Sequence, residues 1–91
     1  MQHVETGTPT NLTATGAVSV APGTLIGFYV NNKTAGGTLV LRNGSTASGT
    51  AISGTITPLI GFHRFNAYCP DGCHATIAVQ AMDITFFFAA G

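Results

Sequence analysis

Charged side chains are scarce in this chain of 91 residues, because Asp, Glu, Lys and Arg supply only 7% of it, whereas an ordinary soluble domain has about 25%. Three acidic and three basic residues give a formal net charge of zero. Nucleic acids and anionic membranes attract proteins through clusters of Lys and Arg, so the composition argues against both partners. A neutral surface of Thr, Ser, Asn and Gly gives little protection against self-association. We therefore expect much of it to be covered in an assembly.

Long apolar runs are also lacking. The longest, Phe86 to Ala90, is far shorter than the ~20 residues that span a bilayer. Residues 1–5 have neither the basic nor the apolar segment of a secretory signal. We therefore expect a soluble protein that is not exported by a standard signal.

Groups that could carry out catalysis are few and scattered. The carboxylates Glu5, Asp71 and Asp83 do not form a pair that the sequence places together for acid and base chemistry. Gly36-Gly37 precedes a predicted strand, so it lacks the helix N-terminus that binds phosphate. We expect no enzymatic activity and no cofactor.

The chain is instead rich in β-branched residues and Gly, and no window follows the repeat of an amphipathic helix. Short alternating segments separated by turn residues predict about six to eight strands. The sequence therefore predicts an all-β fold, a single antiparallel β-sandwich or jelly-roll-like domain over residues 10–91. Residues 1–9, which Gly7 and Pro9 keep irregular, are predicted to form a flexible N-terminal arm.

The best-defined strands flank a Gly-rich turn. Thr24–Asn31 and Thr38–Asn43, joined through Gly36-Gly37, are predicted to form a β-meander over Pro22–Thr50. Alternation assigns the side chains of each strand to two faces. In the first strand, one face holds Ile26, Phe28 and Val30 and the other Leu25, Gly27 and Tyr29; in the second, Leu39 and Leu41 share a face. The other predicted strands lie within Thr10–Ala21 with a break at Gly16, at the sheet edge over Thr50–Thr57, and at Ile60–Ala67, Ala75–Val79 and Ile84–Phe88.

The last of these strands is aromatic on both faces. Ile84, Phe86 and Phe88 are predicted to fill the core, whereas Phe87 points away from it. Phe87 is covered either within the domain or by another chain. The candidate assembly contacts are therefore Phe86, Phe87 and Phe88, together with Val4 in the N-terminal arm.

One cluster of potentially reactive side chains occurs, in Cys69-Pro70-Asp71-Gly72-Cys73-His74. Pro-Asp-Gly favours a turn, so Cys69 and Cys73 are candidates for a disulfide across a hairpin. Zinc ligation with nearby histidines is a second interpretation, although a second well-spaced ligand pair is missing. Two free thiols packed as small apolar groups are the third.

Several segments resemble small all-β virion proteins of tailed bacteriophages. They are Pro22–Val30, Gly37–Leu41, Ala47–Ile52, Thr57-Pro58 and Asp83–Phe88. The resemblance covers Val18 to Phe88 and implies a β-sandwich structural protein, a capsid decoration or cement protein that bridges capsomers. It also implies the major capsid protein or other virion subunits as partners, a homo-oligomer that is often a trimer, and a location in the virion, assembled in the host bacterial cytoplasm. The segment Cys69–His74 departs from this family's pattern, which has a plain turn there.

Two alternatives remain open. One is a neck or tail component of the virion. The other is a carbohydrate- or receptor-binding module of a phage tail or fibre, in which aromatic rings stack on sugars and amides bind hydroxyls. The candidates for these contacts are Tyr29, Phe62 and Tyr68, with Asn31, Asn32 and Asn43. An exposed aromatic platform beside these asparagines would favour this module.

Overall fold

The computed structural model, which describes residues 7–78 and 81–90, contains two antiparallel four-stranded sheets around one apolar core. Sheet A has the order β1-β8-β3-β6 and sheet B the order β2-β7-β4-β5. The predicted all-β sandwich is confirmed. The strands are β1 (Thr8–Leu12), β2 (Gly16–Ser19), β3 (Gly23–Lys33), β4 (Thr38–Asn43), β5 (Thr50–Ala51), β6 (Gly61–Cys69), β7 (Cys73–Ala78) and β8 (Met82–Ala90).

Consecutive strands alternate between the two sheets, except that β4 and β5 are neighbours in sheet B. Two four-stranded sheets connected in this way have the strand order of an eight-stranded jelly roll. The longer strands therefore pack their apolar faces against the opposite sheet, whereas both residues of β5 are exposed. The core consequently draws Phe28 and Phe86 from sheet A, and Leu39 and Leu41 from sheet B.

The predicted β-meander is wrong. β3 pairs with β6 and β8, whereas β4 pairs with β5 and β7. The turn between them is tight, with the Gly37 amide donating to Thr34 O at 3.0 Å and Gly36 at a φ of 89°. This turn carries the chain from one sheet to the other. The apolar faces of the two strands therefore meet across the core instead of lying side by side.

The predicted faces of β3 need one correction. The register of β3 shifts between Leu25 and Gly27 against both of its neighbours. Leu25 consequently joins Phe28 and Val30 in the core cluster, whereas Ile26, although buried, does not belong to that cluster. Beyond an extra residue in a strand, the side chains that faced the core face outward and the others face inward. The simple period-two alternation did not allow for such a residue.

The remaining predictions hold in outline. A break separates β1 from β2, which begins at Gly16. The segment after Thr50 lies at the edge of sheet B, although its regular strand covers only Thr50–Ala51. β1 begins at Thr8, so Thr8 and Pro9 belong to sheet A and not to the predicted arm. Residues 1–6, and Val79 at the end of the predicted strand Ala75–Val79, lie outside the described ranges. In the described part of the chain, no helix is long and apolar enough to cross a membrane.

Candidate functional site

The outer face of sheet A exposes aromatic side chains where β3, β6 and β8 run side by side. Tyr29 lies opposite Phe62 in the register of β3 and β6, and the two are 43% and 49% exposed. The ring of Phe62 also contacts that of Phe87, with centroids 6.1 Å apart and planes at 58°. We call Tyr29, Phe62 and Phe87 the aromatic patch.

Gly27 makes this arrangement possible. It lies between Phe87 of β8 and Arg64 of β6 in the sheet register. A Cβ at this position would come within 2.9 Å of Phe62 Cζ and 2.5 Å of His63 O. Because Gly27 has no side chain, the ring of Phe62 occupies the space above it and reaches Phe87.

A polar network lies on the same outer face, beside the aromatic patch. Asn11 Nδ2 donates to Asp83 Oδ1 at 2.6 Å and to Thr85 Oγ1 at 3.1 Å. Asn31 Nδ2 donates to the same Thr85 oxygen at 2.9 Å and reaches Asp83 Oδ1 at 3.5 Å. These four side chains, which we call the polar network, therefore satisfy much of one another's hydrogen-bonding capacity.

Further apolar side chains are exposed along β6 and just before it. Leu59 and Ile60 precede the strand, and Tyr68 lies near its end. Tyr68 is six residues from Phe62, which corresponds to ~20 Å along a strand. Exposed apolar side chains therefore lie at both ends of β6, with the exposed Arg64 and Asn66 between them.

The structure brings together only some of the predicted sugar-binding residues. Tyr29, Phe62 and Asn31 lie close to one another on the outer face of sheet A. Asn32 is exposed near the end of β3. Asn43 lies in sheet B, where its Nδ2 donates to Asp71 Oδ2 at 3.1 Å, and Tyr68 lies at the far end of β6. The period-two pattern of β3 correctly placed Tyr29 on the face opposite Phe28 and Val30, but it did not predict the network around Asp83.

The candidate assembly contacts divide into buried core residues and a partly exposed residue. Phe86 and Phe88 are buried in the core, so they are not available to a partner. Phe87 is partly exposed and belongs to the aromatic patch, whereas Val4 lies outside the described residues. The alternation in Ile84–Phe88 predicted this division between core and surface.

Cys69 and Cys73 are free, fully buried thiols in this structure. They flank the turn at Pro70–Gly72, which joins sheet A to sheet B and is not the predicted hairpin within one sheet. The Cys69 thiol donates to Ala67 O at 3.8 Å, and burial raises the pKa of both thiols, that of Cys73 to about 12. The disulfide stays a prediction. Across residues 7–78 and 81–90, no three His, Cys, Asp or Glu side chains are grouped as metal ligands would be.

His74, next to Cys73, is buried without a hydrogen-bond partner for its Nδ1 atom. It lies opposite Arg42 in the pairing of β4 with β7. Burial, and secondarily the positive charge of Arg42, lower the pKa of His74 below its ordinary value. The side chain therefore favours the neutral form, which suits a structural position between β2 and β4.

Comparison of this chain with family models, with curated proteins and with solved structures finds no match.

Proposed function

We propose that this protein is a non-enzymatic structural protein of a phage virion, a decoration or cement protein that binds the capsid shell through the outer face of sheet A. The observation that carries the proposal is the aromatic patch, in which Tyr29 and Phe62 are about half exposed. Its partners would be the major capsid protein or other virion subunits. The resemblance of Val18–Phe88 to small all-β virion proteins supports the same assignment.

Large aromatic side chains on a surface support a protein partner because they are enriched at the centres of protein interfaces. The polar network beside these aromatic side chains also supports a protein partner. Asp83 Oδ1 and Thr85 Oγ1 each accept from both Asn11 and Asn31. Groups already engaged in this way are preorganised, and they need little rearrangement at the polar rim of an interface.

The mode of action would be stabilisation by mass action. A protein that binds only the assembled shell shifts the equilibrium towards that shell, and many copies on a lattice add their contributions. No chemical step is required. The jelly-roll architecture is used by viral capsid domains and also by lectins, so the architecture itself does not decide between the two functions.

The test is a sedimentation assay with expanded capsids that lack this protein. Wild-type protein should pellet with the capsids, saturate at a stoichiometry set by the lattice, and raise their resistance to heat. The double variant Tyr29→Ser/Phe62→Ser should lose at least about tenfold in affinity, since central aromatic contacts each contribute about 1–2 kcal/mol or more.

Val40→Ser is the matched control, because Val40 is partly exposed on β4, alternating with the buried Leu39 and Leu41 in sheet B. It should bind like wild type. Absence of saturable binding by the wild-type protein would contradict the proposal. Equal weakening by the control would show that sheet A is not the docking face.

A carbohydrate-binding function is the second candidate, because Asn31 lies two residues from Tyr29 on the same exposed face of β3, and Tyr29 is opposite Phe62. A sugar ring stacked on Tyr29 or Phe62 would place hydroxyl groups near the Asn31 amide. Binding to a glycan array that is lost in Phe62→Ser and kept in Val40→Ser, together with no binding to capsids, would establish this alternative.

A further inference from the structure

β6 forms one edge of sheet A. It is nine residues long, and within residues 7–78 and 81–90 it pairs with β3 alone. An edge strand presents backbone N–H and C=O groups that are able to pair with another chain. Natural proteins usually protect such edges with charged side chains, prolines, bulges or very short strands. β6 contains neither Lys nor Pro, and Arg64 is its only residue with a permanent charge.

Five of the six large apolar side chains that are exposed among the described residues lie along this edge or beside it on β3, whereas the sixth, Val20, follows β2. Phe62 and Tyr68 lie on β6, Leu59 and Ile60 lead into it, and Tyr29 is directly opposite Phe62 on β3. Exposed and partly buried side chains alternate from Gly61 to Tyr68, although Phe65 and Asn66 together lie opposite Ile26 of β3, so β6 has one extra residue there. The edge therefore keeps a single exposed face, with aromatic side chains near its two ends.

We propose that two copies of this chain pair through β6 in an antiparallel, two-fold symmetric register centred on Phe65. Two A sheets would then form one continuous eight-stranded sheet. Phe62 of each copy would lie opposite Tyr68 of the other on the outer face. Arg64 would lie opposite Asn66, and the two Phe65 side chains would meet at the symmetry axis.

The residues of β6 select this register. Phe65 is the midpoint of Gly61–Cys69, so only this register pairs all nine residues. Centring the pairing on Arg64 would place two like charges opposite each other, which is unfavourable. Centring it on Asn66 would place Phe62 opposite Pro70, which has no N–H to donate. The Phe65 register avoids both and forms three aromatic cross-strand pairs, two of Phe62 with Tyr68 and one between the two Phe65 side chains.

The apolar area that the dimer can bury sets its expected affinity. Phe62 and Tyr68 are 49% and 62% exposed. With 150–250 Å² for each aromatic side chain, covering both would remove roughly 170–280 Å² per copy. This is well below the ~800 Å² per partner of a standard interface, and Leu59, Ile60 and the backbone ladder supply only part of the rest. The dimer should therefore be weak, with a dissociation constant on the order of 10–100 μM.

Analytical ultracentrifugation of the full chain, from about 5 μM to 1 mM to bracket that constant, tests the proposal. Wild type should shift from monomer to dimer. Phe62→Lys/Tyr68→Lys places Lys opposite Lys twice and should weaken the dimer at least about tenfold. Phe62→Lys/Tyr68→Glu places Lys opposite Glu twice and should restore dimerisation relative to the first variant. Only a pairing of position 62 with position 68 predicts this difference.

The matched control is Thr13→Lys/Ala14→Lys, which adds the same charge at two exposed positions after β1, on the opposite edge of sheet A. It should dimerise like wild type. Thermal unfolding by circular dichroism confirms that each variant is folded. A wild-type monomer at every concentration, a trimer as the first oligomer, or equal dimerisation by the Lys/Lys and Lys/Glu variants would overturn the proposal. Because the assay uses the isolated chain, its failure would leave the capsid-binding test unaffected.

Discussion

Replacing two adjacent phenylalanines of β8 tests the arrangement of sheet A most directly. Phe86 is fully buried in the core, whereas Phe87 lies on the outer face in contact with Phe62. Phe86→Ala should lower the free energy of unfolding by about 3–5 kcal/mol, because it removes apolar contacts and leaves a cavity. Phe87→Ala removes one exposed aromatic pair and should cost about 0.5–1.5 kcal/mol.

These losses matter because the domain is small. At ~0.05–0.15 kcal/mol per residue, a chain of 91 residues has a total stability of roughly 5–14 kcal/mol. Phe86→Ala therefore risks unfolding the protein. Phe86→Leu, which keeps most of the volume and should cost less than about 1.5 kcal/mol, is measured beside it.

Urea unfolding followed by circular dichroism measures all three variants, with the slope of free energy against urea concentration checked for constancy. The order of destabilisation should be Phe86→Ala, then Phe86→Leu and Phe87→Ala together. Equal losses for the two alanine variants, or a larger loss for Phe87→Ala, would refute the assignment of Phe86 to the core and Phe87 to the surface.

Three further predictions follow from local geometry. Gly27→Ala should lower the free energy of unfolding by about 1–3 kcal/mol, because its Cβ would lie 2.5 Å from a backbone oxygen of β6. The control Gly54→Ala, whose Cβ would have no atom within 4 Å, should leave the thermal midpoint unchanged or raise it. Burial lowers the pKa of His74 from 6.5. As the pH falls, His74 is therefore protonated in the unfolded chain before it is protonated in the folded protein. The free energy of unfolding should then fall as the pH drops below 6.5, by at most about 1.4 kcal/mol per pH unit, and His74→Gln should remove that slope in urea titrations. Because burial raises the pKa of Cys69 and Cys73, their thiols should be alkylated much more slowly in the native protein at neutral pH than in the unfolded protein. Mass spectrometry after mild oxidation tests whether the two cysteines form a disulfide.

Local patterns in the sequence predicted the strands well. The alternation in Ile84–Phe88 assigned Phe86 and Phe88 to the core, and the segment Ile60–Ala67 was predicted as the strand that became β6. Such patterns depend only on the geometry of a single strand, in which neighbouring side chains point in opposite directions. They therefore appear in the sequence even when the partner strands are unknown.

Strand pairing was harder to predict. The turn at Gly36-Gly37 is compatible with a hairpin and equally with the observed crossing between sheets, because either connection buries Phe28 and Leu39 in a common core. The local sequence does not distinguish them. The register shift at Ile26 was missed for a related reason: Leu25 and Ile26 are both apolar, so the pattern does not indicate which one faces the core.

The aromatic patch joins residues that are far apart in the sequence, so no local pattern could define it. Tyr29, Phe62 and Phe87 come from three strands, and their contact depends on the empty position at Gly27. The same is true of the polar network, in which Asn11 and Asp83 are 72 residues apart. Sites of this kind require the sheet order before their members can be recognised.

The two proposals for sheet A overlap at Phe62, and this overlap can be separated experimentally. Pairing through β6 would bring Tyr68 of a second copy beside Phe62 and would present two aromatic patches on one continuous sheet. Two patches would bind a repeating lattice more tightly than one, without any new kind of contact. The variant Phe62→Lys/Tyr68→Glu should dimerise again, although it lacks both aromatic side chains. If the patch itself binds the capsid, this variant dimerises and still fails to bind; if avidity alone dominates, it recovers much of the capsid binding that Phe62→Lys/Tyr68→Lys loses.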